Sequence, residues 1–85
     1  MEINFTTKME PGEYNAKVSH ARGLLRDAQK VKLKFKLIGR EMAHSQIGFE
    51  VIKQALLELA NVGRSNAEPR LIGRIVVVYV TPLNH

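Results

Sequence analysis

The sequence predicts an α+β fold. Two helices pack on one face of a mixed four-stranded sheet, a two-layer open-faced sandwich in the order β-α-β-α-β-β. Three observations carry this expectation. Residues 30–37 alternate strictly, with Lys30, Lys32, Lys34 and Lys36 set against Val31, Leu33, Phe35 and Leu37, the period-two pattern of a half-buried strand. Two other segments repeat their apolar residues at three- and four-residue steps, as helices packed on one side do. Ile75-Val76-Val77-Val78-Tyr79-Val80 is unbroken, apolar and rich in β-branched residues, which suits an interior strand.

In chain order, residues 2–7 read as a first strand with Ile3 and Phe5 on one side and Asn4 and Thr6 on the other. Glu10-Pro11-Gly12-Glu13 punctuates. Tyr14, Val18, Ala21, Leu25 and Ala28 then mark the inner face of a helix over residues 13–28. Lys17, Arg22 and Arg26 lie away from that face, and Gly23 costs the helix about 1 kcal/mol relative to alanine. The lysine strand runs over residues 30–38, its lysines outward, where they also discourage edge pairing. A second helix over residues 42–60 buries Gly48, Val51, Ile52, Ala55 and Leu59 and turns Glu50, Lys53 and Glu58 outward, with Ile47, Phe49 and Leu56 widening its apolar surface. Asn61 and Gly63 stop it. Residues 64–69 read as a weak edge strand limited by Pro69, and Pro82 ends the final strand. The first strand–helix–strand unit is expected to be a right-handed parallel crossover.

Eighty-five residues make one small domain, here with an aliphatic core, since only 6% are aromatic and tryptophan is absent. Without cysteine there is neither a disulfide framework nor a thiolate metal site. Residues 1–8 lack the apolar run of a signal peptide, and the longest apolar run is too short for a bilayer, so a cytoplasmic domain without membrane contact is expected. The net charge of +5 is unevenly placed. Between Lys17 and Arg40 stand eight basic residues and a single acid, Asp27. A field concentrated in this way suits a polyanion, and it serves solubility equally well.

The search for chemistry finds no enzyme. His20, His44 and His85 show no metal-ligand spacing, no Ser or Thr sits in a nucleophile elbow, and the glycines form no phosphate loop. No cofactor is expected. Tyr14 falls on the helix stripe and reads as core. A base-stacking sheet would carry aromatics on its open face; the expected open face carries lysines, and no Gly-x-x-Gly clamp is present. RNA binding would then run through phosphates rather than base edges. The organising stretch is Gly39-Arg40-Glu41-Met42-Ala43-His44, where the lysine strand gives way to the second helix. Gly39 frees the turn, Glu41 complements the helix dipole, and Arg40 stands beside N–H groups that favour anions.

That stretch, followed by Ile47-Gly48 and Glu50-Val51-Ile52, closely resembles the C-terminal domain of bacterial translation initiation factor three. The resemblance covers essentially the whole chain. Glu2-Ile3-Asn4-Phe5 is similar to that domain's first strand, Tyr14 and Lys17 to its first helix, and Lys30-Val31-Lys32 to its second strand. Gly63, Pro69-Arg70, Gly73-Arg74 and Thr81-Pro82 are similar to its late turn, last strand and exit. The resemblance implies a ribosome-binding domain that sits on the small-subunit platform, contacts its ribosomal RNA and keeps the large subunit from joining early. It also implies an indirect influence on initiator tRNA and mRNA start-codon selection, by a monomer.

By the same resemblance Lys17, Arg40 and Arg74 stand where the family carries RNA-contacting or motif basic residues. Arg22 and Arg26, on the exposed side of the first helix, and Lys30, at the head of the lysine strand, follow as candidates. Thr6, Ser19, Gly23, Ile38 and Gln54 depart from the pattern, because family members often have arginine there; Asn4 replaces a usual lysine, and Leu83-Asn84-His85 replaces a basic tail. The complete factor has an N-terminal domain and a lysine-rich linker, so an excised domain is expected, or else a naturally short relative. Two alternatives stay open: a divergent RNA-binding paralogue with another ribosomal or regulatory role, and a protein-interaction module using the apolar surplus at Phe49 and Leu56.

Overall fold

A computed structural model describes residues 1–6, 8–37, 46–65 and 67–83. Its elements are β1 (Glu2–Thr6), α1 (Pro11–Arg26), β2 (Val31–Lys36), α2 (Gln46–Glu58), β3 (Gly63–Arg64), β4 (Arg70–Ile72) and β5 (Ile75–Pro82). The sheet runs β1-β2-β5-β3, with β4 also on β5. β1 and β2 are parallel neighbours joined through α1, while β2 and β5 are antiparallel. The α+β class and the β-α-β-α-β-β order are as the sequence predicts, except that the outer strand is divided in two, so the mixed sheet has five strands rather than four.

The outer strand is where the expectation needs correcting. A single strand over residues 64–69 does not form. Its place beside β5 is taken by two short pieces, β3 opposite Thr81 and Pro82 and β4 opposite Ile75 to Val77. Had the chain continued in register from the Arg64–Thr81 pair, Glu68 would face Val77; Arg70 does. Two extra residues are therefore looped out, and Pro69, which lacks a ladder donor, stands at the end of that loop. β4 and β5 then form a hairpin whose first loop residue, Gly73, has φ +62°, as a type II′ turn requires.

α1 begins at Pro11, earlier than the punctuation around it suggests. Proline at the first helical position loses no hydrogen bond and is pre-set for the helix. The helix also ends earlier than residue 28. Gln29 N–H donates to the Leu24 carbonyl and Ala28 N–H to that of Leu25, with Ala28 at φ +62°. This is a Schellman cap with alanine in the left-handed position, so Ala28 is exposed rather than part of the buried stripe.

The core lies between the helices and one sheet face. Ile3, Phe5, Val31, Leu33, Phe35, Leu37, Val76, Val78 and Val80 supply the sheet side; Val18, Ala21 and Leu25 of α1 and Ile52, Ala55 and Leu59 supply the helix side. Gly48 lets α2 approach closely. A Cβ there would lie 2.9 Å from Val76 Cγ2 and 3.0 Å from Phe35 Cδ1. Phe49 and Leu56 pack against this core and are half-buried. Among the described residues no helix is long and apolar enough to cross a membrane.

The lysine strand is interior, flanked by β1 and β5. Its alternation therefore does not guard an edge. It reflects a sheet with helices on one face only.

Candidate nucleic-acid interface

The basic side chains come from three places in this frame. α1 carries Lys17, Arg22 and Arg26, the turn into β2 carries Lys30, and the β4–β5 hairpin carries Arg74. Arg40 and the whole Gly39–His44 stretch lie outside the described residues.

On α1 the cations separate around the helix. At about 100° per residue, Lys17 and Arg26 project roughly 180° apart. Arg22 belongs to the flank facing α2, where its Nη2 donates to the Glu58 carbonyl at 3.2 Å. A guanidinium at the last residue of α2 meets the negative end of that helix. Arg22 thus ties the helices together and is half-buried, while Arg26, one turn on, is exposed. Lys17 is half-buried on the opposite flank.

Glu58 is more than the outward-facing residue the helix pattern suggests. Tyr14 Oη donates to its carboxylate at 2.6 Å. Burial first, then the hydrogen bond and the charge of Glu58, hold the Tyr14 hydroxyl well above the usual phenol range. Its ring packs at a tilt against Phe5, centroids 5.7 Å apart. Tyr14 is therefore core with one polar tether, close to its expected role.

Lys30 and Arg74 mark opposite ends of the sheet, since β5 begins where β2 ends. Lys30 is exposed, and its carbonyl accepts from the N-terminal amine at 3.2 Å. Arg74 is exposed, and its carbonyl accepts from Leu37 N–H at 2.8 Å, fixing the hairpin to the end of β2. The described candidates form no single pocket. They are spread over both ends of the domain and both flanks of α1, an arrangement that can grip phosphates across a broad surface but cannot encircle a small ligand.

Three departures from the arginine pattern are also exposed. Ser19 and Gly23 lie one turn apart on α1 and Gln54 on α2. A Cβ added at Gly23 would meet no atom within 4 Å.

The open face of the sheet holds what sequence reasoning missed. Lys32 and Lys34 are not simply solvated; each is half-buried, 3.8 and 3.6 Å from a Glu2 carboxylate oxygen. Tyr79, directly opposite Lys32 in the register, is 62% exposed. An aromatic does stand on that face. The alternation of residues 75–80 contained the signal, because Tyr79 falls in the parity of Val77 and Ile75, away from the core residues Val76, Val78 and Val80.

A family profile described as "Translation initiation factor IF-3, C-terminal domain" matches residues 1–83. Curated relatives named translation initiation factor IF-3 include one from Nautilia profundicola, 38% identical over 82 residues, which covers 96% of this chain and 46% of the relative. One from Chromobacterium violaceum is 37% identical over 95% of this chain and 46% of its own. One from Pseudomonas putida is 33% identical over 95% and 44%. The chain spans about half the length of the curated relatives it matches. The matched family is one of translation factors rather than of enzymes.

Proposed function

The chain belongs to the translation initiation factor IF-3 C-terminal domain family, and from that premise we propose that it binds the small ribosomal subunit and hinders joining of the large one. The observation that carries this reading is the family match over residues 1–83. The spread of exposed cations supports it, since ribosomal RNA is a broad, shaped polyanion that such a set can follow through phosphates. Lys17, Arg26, Lys30 and Arg74 are the described contact candidates, Arg22 shares its charge with a structural tie, and Arg40, outside the described residues, is a further candidate.

The mechanism is linkage. A ligand that binds the free small subunit and is incompatible with the joined particle pulls the equilibrium towards free subunits. No bond need be made or broken. The domain supplies a rigid two-layer body and positive potential; bulk at the subunit interface does the rest. Residues 1–85 act in this reading as one ribosome-binding domain, monomeric and cytoplasmic, with any effect on initiator tRNA or start-codon choice passing through the occupied subunit.

Co-sedimentation with purified subunits tests the binding step. The chain should pellet with small subunits at low salt and be released as salt rises, and Lys17→Gln with Arg26→Gln should shift that release to lower salt. Equal partition between small subunits and unrelated structured RNA would instead favour an RNA-binding paralogue with a different task, a reading that the missing arginines at Ser19, Gly23 and Gln54 also favour.

A further inference from the structure

The open face of the sheet is opposite the helices and takes no part in the reading above. Its register sets three columns side by side: Glu2, Asn4 and Thr6 on β1; Lys32, Lys34 and Lys36 on β2; Tyr79, Val77 and Ile75 on β5. β4 adds Arg70 opposite Val77 and Ile72 opposite Ile75. A cationic ridge therefore runs beside an apolar strip that contains one exposed aromatic ring.

Tyr79 stands between two distinct features. On the β2 side, Lys32 Nζ lies over its ring, 5.4 Å from the centroid. On the β4 side is a cleft of about 480 Å³, lined by Ala67, Glu68, Arg70, Ile72, Val77 and Tyr79 among others. Ala67 and Glu68, from the segment between β3 and β4, are part of its lining. No helix covers it. Val77 is nonetheless only 8% exposed, shielded by its own neighbours and so a firm apolar floor.

We propose that this face is a second nucleic-acid contact, specific for an unpaired nucleotide, whose base enters the cleft and stacks on Tyr79. Base–aromatic stacking needs an exposed ring with free approach, and it tolerates any base. Cations flank the ring on both sides, Arg70 in the cleft and the lysine ridge beyond, so phosphates on either side of the base meet positive charge. Successive ridge lysines are about 6.6 Å apart, close to the phosphate repeat of an extended single strand. Four cations (Lys32, Lys34, Lys36 and Arg70) outweigh the carboxylates of Glu2 and Glu68. Glu68 at the cleft wall keeps phosphate away from that side and leaves the base to fill it. A duplex cannot use the site, because its bases are already stacked.

A labelled unpaired hexaribonucleotide titrated with the 85-residue chain, followed by fluorescence anisotropy, tests this. Tyr79→Ala should weaken binding about 5- to 140-fold, the range of one base–aromatic stack, and leave the salt slope unchanged. Tyr79→Phe, which keeps the ring, should retain most of the affinity. Arg70→Gln should lower the salt slope by about 0.7, the single-strand value for one phosphate contact. Tyr79→Ala binding like the parent chain overturns the proposal, as does equal affinity for a duplex of the same sequence. So does self-association by sedimentation that Tyr79→Ala abolishes while no oligonucleotide binds, which would make the strip a protein interface. Small-subunit pelleting is read separately: if it fails while Tyr79-dependent binding persists, only the ribosomal reading falls.

Discussion

Gly48 and Gly23 both sit in helices, and the same replacement by alanine should move stability in opposite directions. In a helix interior alanine gains about 0.5–1 kcal/mol over glycine. At Gly23, with nothing within 4 Å of an added Cβ, that gain should appear almost undiminished. At Gly48 the new methyl would lie 2.9 Å from Val76 Cγ2 and 3.0 Å from Phe35 Cδ1, well inside the roughly 3.5–4.0 Å of a normal carbon contact. Neither neighbour can swing aside. Valine is stiff at χ1, and both residues are fully buried. Overpacking of this kind costs about 1–3 kcal/mol, so Gly48→Ala should lose about 1–2 kcal/mol net, whereas Gly23→Ala should gain about 1. For a domain of this size each kcal/mol shifts Tm by about 4–8 °C. Urea denaturation followed by far-UV circular dichroism, with unchanged slopes, reads both. Gly48→Ala at or above the parent chain's stability would show that α2 does not approach the sheet through this residue.

Three further outcomes follow from the structure. Ala28→Gly should stabilise the chain by about 0.5–1 kcal/mol, because a left-handed alanine costs about 1–2 and the flexibility of glycine returns only part of that; the same urea titration checks it. Tyr14 is held above the ordinary phenol value, so its contribution is complete below pH 10 and is lost as pH climbs through its folded-state titration. Stability above pH 10 should therefore fall less steeply in Tyr14→Phe than in the parent chain. Ser19→Arg, Gly23→Arg and Gln54→Arg together should steepen the salt dependence of small-subunit binding by up to about 3, roughly 1 for each phosphate reached; no change would place these three side chains away from RNA.

Much of the fold was legible because period and turn chemistry agree locally. The alternation of residues 30–37 and the stripe Val18, Ala21, Leu25 needed no tertiary knowledge, and the two layers followed from them. What escaped depended on partners distant in sequence. Pro11 could punctuate or begin a helix, and only packing of α1 decides. The outer strand breaks because its two halves pair with opposite ends of β5 in registers two residues apart. Arg22 and Glu58 look solvated on their own helices and find each other only when α1 and α2 are juxtaposed. Tyr79 was hidden in an unbroken apolar run whose second face the sheet leaves open. The candidate interface was legible as charge and as a family pattern; its division between two flanks of α1 and two ends of the sheet required the structure.

Light scattering from mixed small and large subunits at low salt tests the central claim most directly. Adding the chain should lower scattering in proportion to the small subunits it occupies, and raising salt should restore the joined particle as the chain is released. Scattering that stays at the joined level while the chain is demonstrably bound would contradict the account, because occupancy without exclusion leaves linkage nothing to act through.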